Sequence, residues 1–117
     1  IGLLATEGTL KTGVYNNFFD KGFKLIAPKI TLQIRSVNKA IKCVKMGKIR
    51  EAEKAIKPAI NYLLKMKCKK IILGCTELPI AIFAFKSFKK IKSSKVFLDP
   101  NLILADVSMK KYMFLNK

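Results

Sequence analysis

Three short polar clusters hold the residues of this sequence that could do chemistry. Cys75 sits in ILGCTELP, residues 72–79, where an apolar run stops at a glycine and a thiol precedes a Thr-Glu pair. Thr6-Glu7-Gly8-Thr9 follows the apolar run IGLLA, and Asp99-Pro100-Asn101 follows KVFL. A thiol becomes a useful base or nucleophile once its surroundings lower its pKa from about 8.5. The chain has no histidine, so no Cys-His hydrolase can be assembled from it, and partners for a metal are missing too. Cys75 is left as a bare thiolate base, as a nucleophile activated by a helix end, or as a small buried core residue. Cys43 and Cys68 read as structural. Three cysteines without paired spacing argue against a disulfide framework and a zinc site, and reduced, cytoplasmic thiols are expected.

The elements that must position these clusters alternate. Short apolar runs at residues 1–5, 23–28, 69–74 and 95–100 read as strands, and helical periodicity lies between them. Residues 10–19 form a helix candidate that ends at Lys21-Gly22. Ile30, Ile34, Val37, Ile41 and Val44 make one apolar stripe, closed by Gly47. Ile49, Ala52, Ile56, Ala59, Leu63 and Met66 make a second, interrupted by Pro58 at a cost of roughly 3 kcal/mol that nothing in the sequence offsets. A helix is expected over residues 77–85 with Pro79 in its first turn. A final one is expected over residues 101–115, with Leu102, Ala105, Met109 and Tyr112 on one side. Strands without outward polar alternation, alternating with helices, predict an α/β fold: a small parallel sheet with helices on both faces. All three polar clusters then fall at the carboxyl ends of strands, where such sheets bind ligands. Cys75 stands close to a helix N-terminus, which favours a thiolate, while the Glu77 carboxylate beside it raises the thiol's pKa and opposes that effect.

The formal charge of +17, from 24 basic and 7 acidic residues, raises the question of a polyanionic partner. Only Arg35 and Arg50 are arginines, the lysines are spread along the chain, and the densest basic stretch, KSFKKIKSSK, lacks the Gly/aromatic interleaving of an RNA-binding sheet. A solvated lysine-rich surface is the better reading, and a nucleic-acid module the lesser alternative. No membrane span is expected: residues 71–85 carry only Glu77 as a charge, but fall short of the roughly 18 residues a spanning helix needs. The chain opens on Ile1 within a strand-like run, so it reads as one 117-residue domain of something longer.

GLLATEGTLKTGVY (residues 2–15) together with ILGCTELP resembles the C-terminal half of the aspartate/glutamate racemase family, most of all its aspartate racemase branch. The resemblance continues through IAPKITLQ (Pro28, Gln33), CVKMGK (Lys45, Gly47) and FLDPNLILA (Asp99, Pro100), and so covers essentially the whole chain. It implies a racemase without a cofactor, built of two similar α/β lobes. Two cysteines face each other across the substrate, one thiolate removing the α-proton and the other thiol returning a proton on the opposite face. Under that resemblance Cys75 is the second of the two, with Thr76 and Glu77 following in the family's order. Thr6 and Thr9 match a loop holding substrate polar groups, and Lys45 matches a lysine suited to a side-chain carboxylate. Thr6 and Thr9 also suit a helix cap, and Glu77 suits either the substrate ammonium or the orientation of its neighbours. The family's first cysteine, in a Cys-Asn-Thr context, has no counterpart here. The expectations are therefore that residues 1–117 are a C-terminal lobe whose N-terminal lobe is missing, that the isolated chain is inactive, and that the substrate is aspartate in preference to glutamate. A homodimer is expected from the resemblance, and self-association from apolar surface left bare. A catalytically silent remnant and a single-thiol, decarboxylase-like relative are the alternatives.

Overall fold

The computed structural model describes residues 1–19, 22–90 and 95–116. Among them three parallel strands, β1 (Gly2–Leu4), β2 (Ile71–Leu73) and β3 (Phe97–Leu98), lie side by side in the order β1-β2-β3. Gly2 is opposite Ile71 and Ile72 opposite Leu98. Both faces of β1 and β2 are buried, as expected for apolar runs without alternation. The fourth expected strand, residues 23–28, is reduced to one bridge: Ile26 pairs with Gly2, donating to Ile1 O at 2.8 Å and accepting from Leu3 N–H at 2.9 Å. It lies on the free side of β1, so the topology anticipated from the sequence survives with a shorter edge.

One face is covered by α3 (Lys39–Lys45), α4 (Ile49–Lys65) and α5 (Glu77–Phe83). Leu4, Ile71 and Leu73 pack there with Val37, Ile56 and Leu63. On the other face Leu3, Ala5 and Ile72 meet Leu10, Tyr15, Phe19, Leu25 and Leu98. The helix expected over residues 10–19 is instead α1 (Glu7–Thr12) followed by a 3-10 turn, Tyr15–Phe18. Thr6 caps α1, and Gly13 stops it by taking the left-handed conformation at φ +65°. Lys21, part of the expected helix end, lies outside the described residues, as do residues 91–94 of the basic stretch.

The first apolar stripe is in a different phase from the one the spacing predicts. Ile30 and Ile34 are exposed, whereas Gln33, Ser36 and Val37 are buried. The cause is a π-helical segment, Gln33–Asn38, between α2 (Ile30–Leu32) and α3. A turn with i→i+5 bonding holds an extra residue and rotates everything before it relative to everything after. In α4 the buried side follows the predicted stripe through Ala52, Ile56, Ala59 and Leu63, and adds Ile60 and Glu53; Met66 is exposed at the helix end.

The same π segment bonds the backbone of α4 beside Pro58. Ser36, 1% exposed, donates its hydroxyl to Ala55 O and accepts from Ala59 N–H at 3.2 Å. An uninterrupted helix would pair that carbonyl and that N–H with each other, so a hydroxyl from a neighbouring helix is inserted into the ladder beside the proline.

The last helix, α6 (Pro100–Leu115), is capped by Asp99, whose carboxylate accepts from Asn101 N–H at 3.0 Å. No residue of α6 is buried: Leu102 is 66% exposed and Phe114 77%, so the predicted one-sided packing of Leu102, Ala105, Met109 and Tyr112 does not occur. Between α6 and the 3-10 turn runs an apolar groove of about 920 Å³, with Phe18, Ile72, Leu98 and Val107 in its walls. No helix among the described residues is long and apolar enough to cross a membrane.

Candidate active site

β1 and β2 end side by side, and Gly74 N–H donates to Leu4 O at 2.7 Å. This brings the two segments that leave them, Ala5-Thr6 and Gly74-Cys75, to one edge of the sheet. A side chain at position 74 would crowd that approach: a Cβ there would lie 3.1 Å from Ala5 Cβ, 3.2 Å from Tyr15 Cε2 and 3.3 Å from Leu3 Cδ1.

Cys75 is half-buried, and its thiol donates to Glu77 Oε2 at 2.8 Å. Thr76 Oγ1 donates to the same oxygen at 2.9 Å. Burial pushes the Cys75 thiol pKa up, and the bond to the Glu77 carboxylate pushes it further; the Glu77 backbone N–H and the Lys45 ammonium pull the other way without prevailing. Glu77 responds in the opposite sense, its pKa lowered by the hydrogen bonds from Cys75 and Thr76. Of the two opposed influences read from the sequence, the carboxylate prevails over the helix end, and the Cys75 thiol is favoured. The dipole of a helix that spans only residues 77–83 is outweighed by desolvation and a carboxylate in contact.

Thr6 and Thr9 do cap α1: Thr9 N–H donates to Thr6 Oγ1 at 3.2 Å, and the two hydroxyl oxygens are 3.0 Å apart. Both are partly exposed, but they line different clefts: Thr9 stands with Leu10, Tyr15 and Asn16 in one, and Thr6 in another. Thr6, Glu7 and Gly8 form one wall of an open cleft of about 440 Å³, whose other wall is Asn38, Ile41, Lys42 and Lys45 from the end of the π segment and α3. Lys45 is exposed there, and its charge is felt at both Cys75 and Glu77. Five of the six predicted site residues thus fall into two groups: Thr6 and Lys45 face each other across the cleft, while Cys75, Thr76 and Glu77 are hydrogen-bonded together, do not line it, and are linked to it by the charge of Lys45. Thr9 reaches them through Thr6. Asp99 and Pro100 are taken up in capping α6.

Cys43 and Cys68 are buried, in keeping with structural roles. Sequence reasoning missed Asn38 and Lys42 in the cleft wall. Lys42 precedes Lys45 by three residues and could have been found from helical spacing, whereas Asn38 depends on the π segment, which left no pattern to read.

An Asp/Glu/Hydantoin racemase family profile matches residues 1–106. Over 83 residues the chain is 36% identical to an uncharacterized protein from the pnlA 3' region of Pectobacterium carotovorum, an overlap of 70% of this chain and 55% of that one. Over 111 residues it is 29% identical to the glutamate racemase of Carboxydothermus hydrogenoformans, an overlap of 90% of this chain and 38% of the enzyme. The chain therefore spans about half or less of the length of these relatives.

Proposed function

The chain belongs to the Asp/Glu/Hydantoin racemase family, and from that premise we propose that it is the C-terminal lobe of a cofactor-independent amino-acid racemase, acting on aspartate in preference to glutamate. Cys75 is its acid–base group. What supports this most directly is the Cys75 thiol at the ends of β1 and β2, hydrogen-bonded to Glu77 and within the field of Lys45. A thiol kept protonated suits the half-reaction in which Cys75 gives its proton to the α-carbanion and is left as a thiolate, with the Lys45 ammonium favouring the charge that develops. In the opposite direction that thiolate takes the α-proton back. Thr6, Thr9 and Thr76 offer hydroxyls to the substrate's polar groups. Glu77 accepts from Cys75 and Thr76 and so orients the thiol; its carboxylate also suits the substrate ammonium. Lys45 and the Thr-Glu pair after Cys75 are the support for aspartate.

The second base belongs to a lobe this chain does not contain, in the reading proposed. The bare α6 and the apolar groove beside it agree with a surface that another lobe or a second copy covers. A protonated Cys75 also suits a single-thiol relative in which one thiol only delivers a proton to a carbanion left by decarboxylation.

The test is chiral analysis of L-aspartate and L-glutamate with the chain alone, and with an added lobe carrying the Cys-Asn-Thr sequence. Inversion is expected only in the mixture, and should vanish with Cys75→Ala. Turnover by the chain alone that survives Cys43→Ser and Cys68→Ser would show the chain to be complete, and inversion indifferent to Cys75→Ala would remove Cys75 from the chemistry.

A further inference from the structure

Gln33 and Asn38 stand at the two ends of the π segment. In an α-helix residues five apart point about 140° away from each other, but the i→i+5 turn stacks them. Their side chains accordingly meet. Gln33 Nε2 donates to Asn38 Oδ1 at 2.9 Å and to the backbone Ala5 O at 2.8 Å.

The backbone fixes both amides. A carbonyl can only accept, so the Gln33 atom facing Ala5 O must be the NH2 group. The Asn38 atom facing that same NH2 must then be the oxygen. Gln33 is 2% exposed, and its Oε1 is buried without a partner among the described residues. The arrangement is kept although it leaves a buried acceptor unpaired, which is costly. With Oδ1 turned inward to Gln33, the Asn38 NH2 group is turned outward, on the wall of the cleft it shares with Thr6 and Lys45. Asn38 and Lys45 are seven residues apart, two helical turns, and so lie on one face.

We propose that Asn38 is a specificity-determining residue that donates from its NH2 group to the side-chain carboxylate of the amino-acid substrate, alongside Lys45, with Gln33 as the positioning residue that holds its orientation. This rests on the cleft being the amino-acid site. Apart from Glu7, the polar side chains around that position are donors or cations, Thr6, Asn38, Lys42 and Lys45. A carboxylate is matched there, and a side-chain amide would set its own NH2 against donors.

The test is a titration of the isotope-labelled chain with aspartate and with asparagine, followed by NMR at the Asn38 side-chain NH2 and at the backbone amides of Thr6, Lys45 and Cys75. Asn38→Asp keeps the acceptor Gln33 requires, so the fold is retained, and replaces the outward donor by a charge. Aspartate is expected to shift the Asn38 NH2 signals and to bind about tenfold more weakly to Asn38→Asp. Gln33→Glu, which retains size but loses the forced orientation, should weaken aspartate and leave asparagine little changed. Aspartate binding that shifts Thr6, Lys45 and Cys75 yet differs less than about twofold between the wild type and Asn38→Asp would overturn the role of Asn38 and leave the site standing. Shifts at Asn38 without any at Cys75 would uphold the carboxylate donor and overturn the reading of the cleft as the racemase site. Absence of shifts throughout would overturn both.

Discussion

Replacing Ser36 by alanine tests whether a tertiary hydroxyl is what makes Pro58 tolerable in the middle of α4. The substitution removes the donor to Ala55 O and the acceptor of Ala59 N–H together. Ala59 is fully buried, so its N–H has no recourse to water, and an orphaned donor of that kind costs about 1–3 kcal/mol. Ala55 is half-buried, and its carbonyl adds about 1 kcal/mol. Ser36→Ala should therefore cost about 2–4 kcal/mol in total. For a chain of this size that is a fall of about 8–16 °C in Tm, read by circular dichroism and by urea titration at constant m. The cost should depend on the proline. Pro58→Ala returns an N–H able to reach Lys54 O and frees α4 to close the Ala59–Ala55 bond itself. In that background Ser36→Ala should cost about 1–2 kcal/mol less, a coupling expected of residues that share one hydrogen-bond network. A loss under about 0.5 kcal/mol for Ser36→Ala, or equal losses in the wild type and in the Pro58→Ala background, would refute the compensation.

Two further outcomes follow from the site. Glu77→Gln removes the carboxylate that holds the Cys75 proton, so the thiol pKa should fall. Iodoacetamide alkylation followed against pH should then move to lower pH, gaining about threefold in rate for every tenfold gain in thiolate, because the more acidic thiolate is also the weaker nucleophile. In the wild type the raised pKa stabilises the fold fully below the unfolded thiol value of about 8.5, and that contribution is lost as pH rises through the folded value. The alkaline loss of stability should be smaller in Glu77→Gln, and an unchanged alkylation profile would show that Glu77 does not control the thiol. Gly74→Ala places a Cβ against Ala5, Tyr15 and Leu3, and should cost about 1–3 kcal/mol in a urea titration; a neutral result would mean that the ends of β1 and β2 can part without penalty.

The chain's own pattern determined the layer architecture. Apolar runs without polar alternation between helical stretches admit few arrangements besides a parallel sheet, and this places Thr6 and Cys75 together because both follow strands at the same edge. The motif around each cluster pointed to the family that the profile over residues 1–106 confirms. What the pattern could not carry was anything set by contact between distant segments. The phase of the first stripe was misread at Ile30 and Ile34 because a π turn arises from packing and leaves no mark on apolar spacing. Pro58 looked uncompensated because the hydroxyl that bonds the helix backbone beside it belongs to Ser36, 22 residues earlier in the chain and on another helix. The ionisation of Cys75 stayed open because the helix end and the Glu77 carboxylate are both visible in the sequence and act in opposite senses, whereas desolvation and the reach of that carboxylate depend on how tightly the two are packed. Residue types and their spacing therefore settled which groups stand at the mouth of the sheet; only the tertiary structure decided which way each is turned and whether it keeps its proton, because hydrogen bonds and burial are properties of neighbours in space.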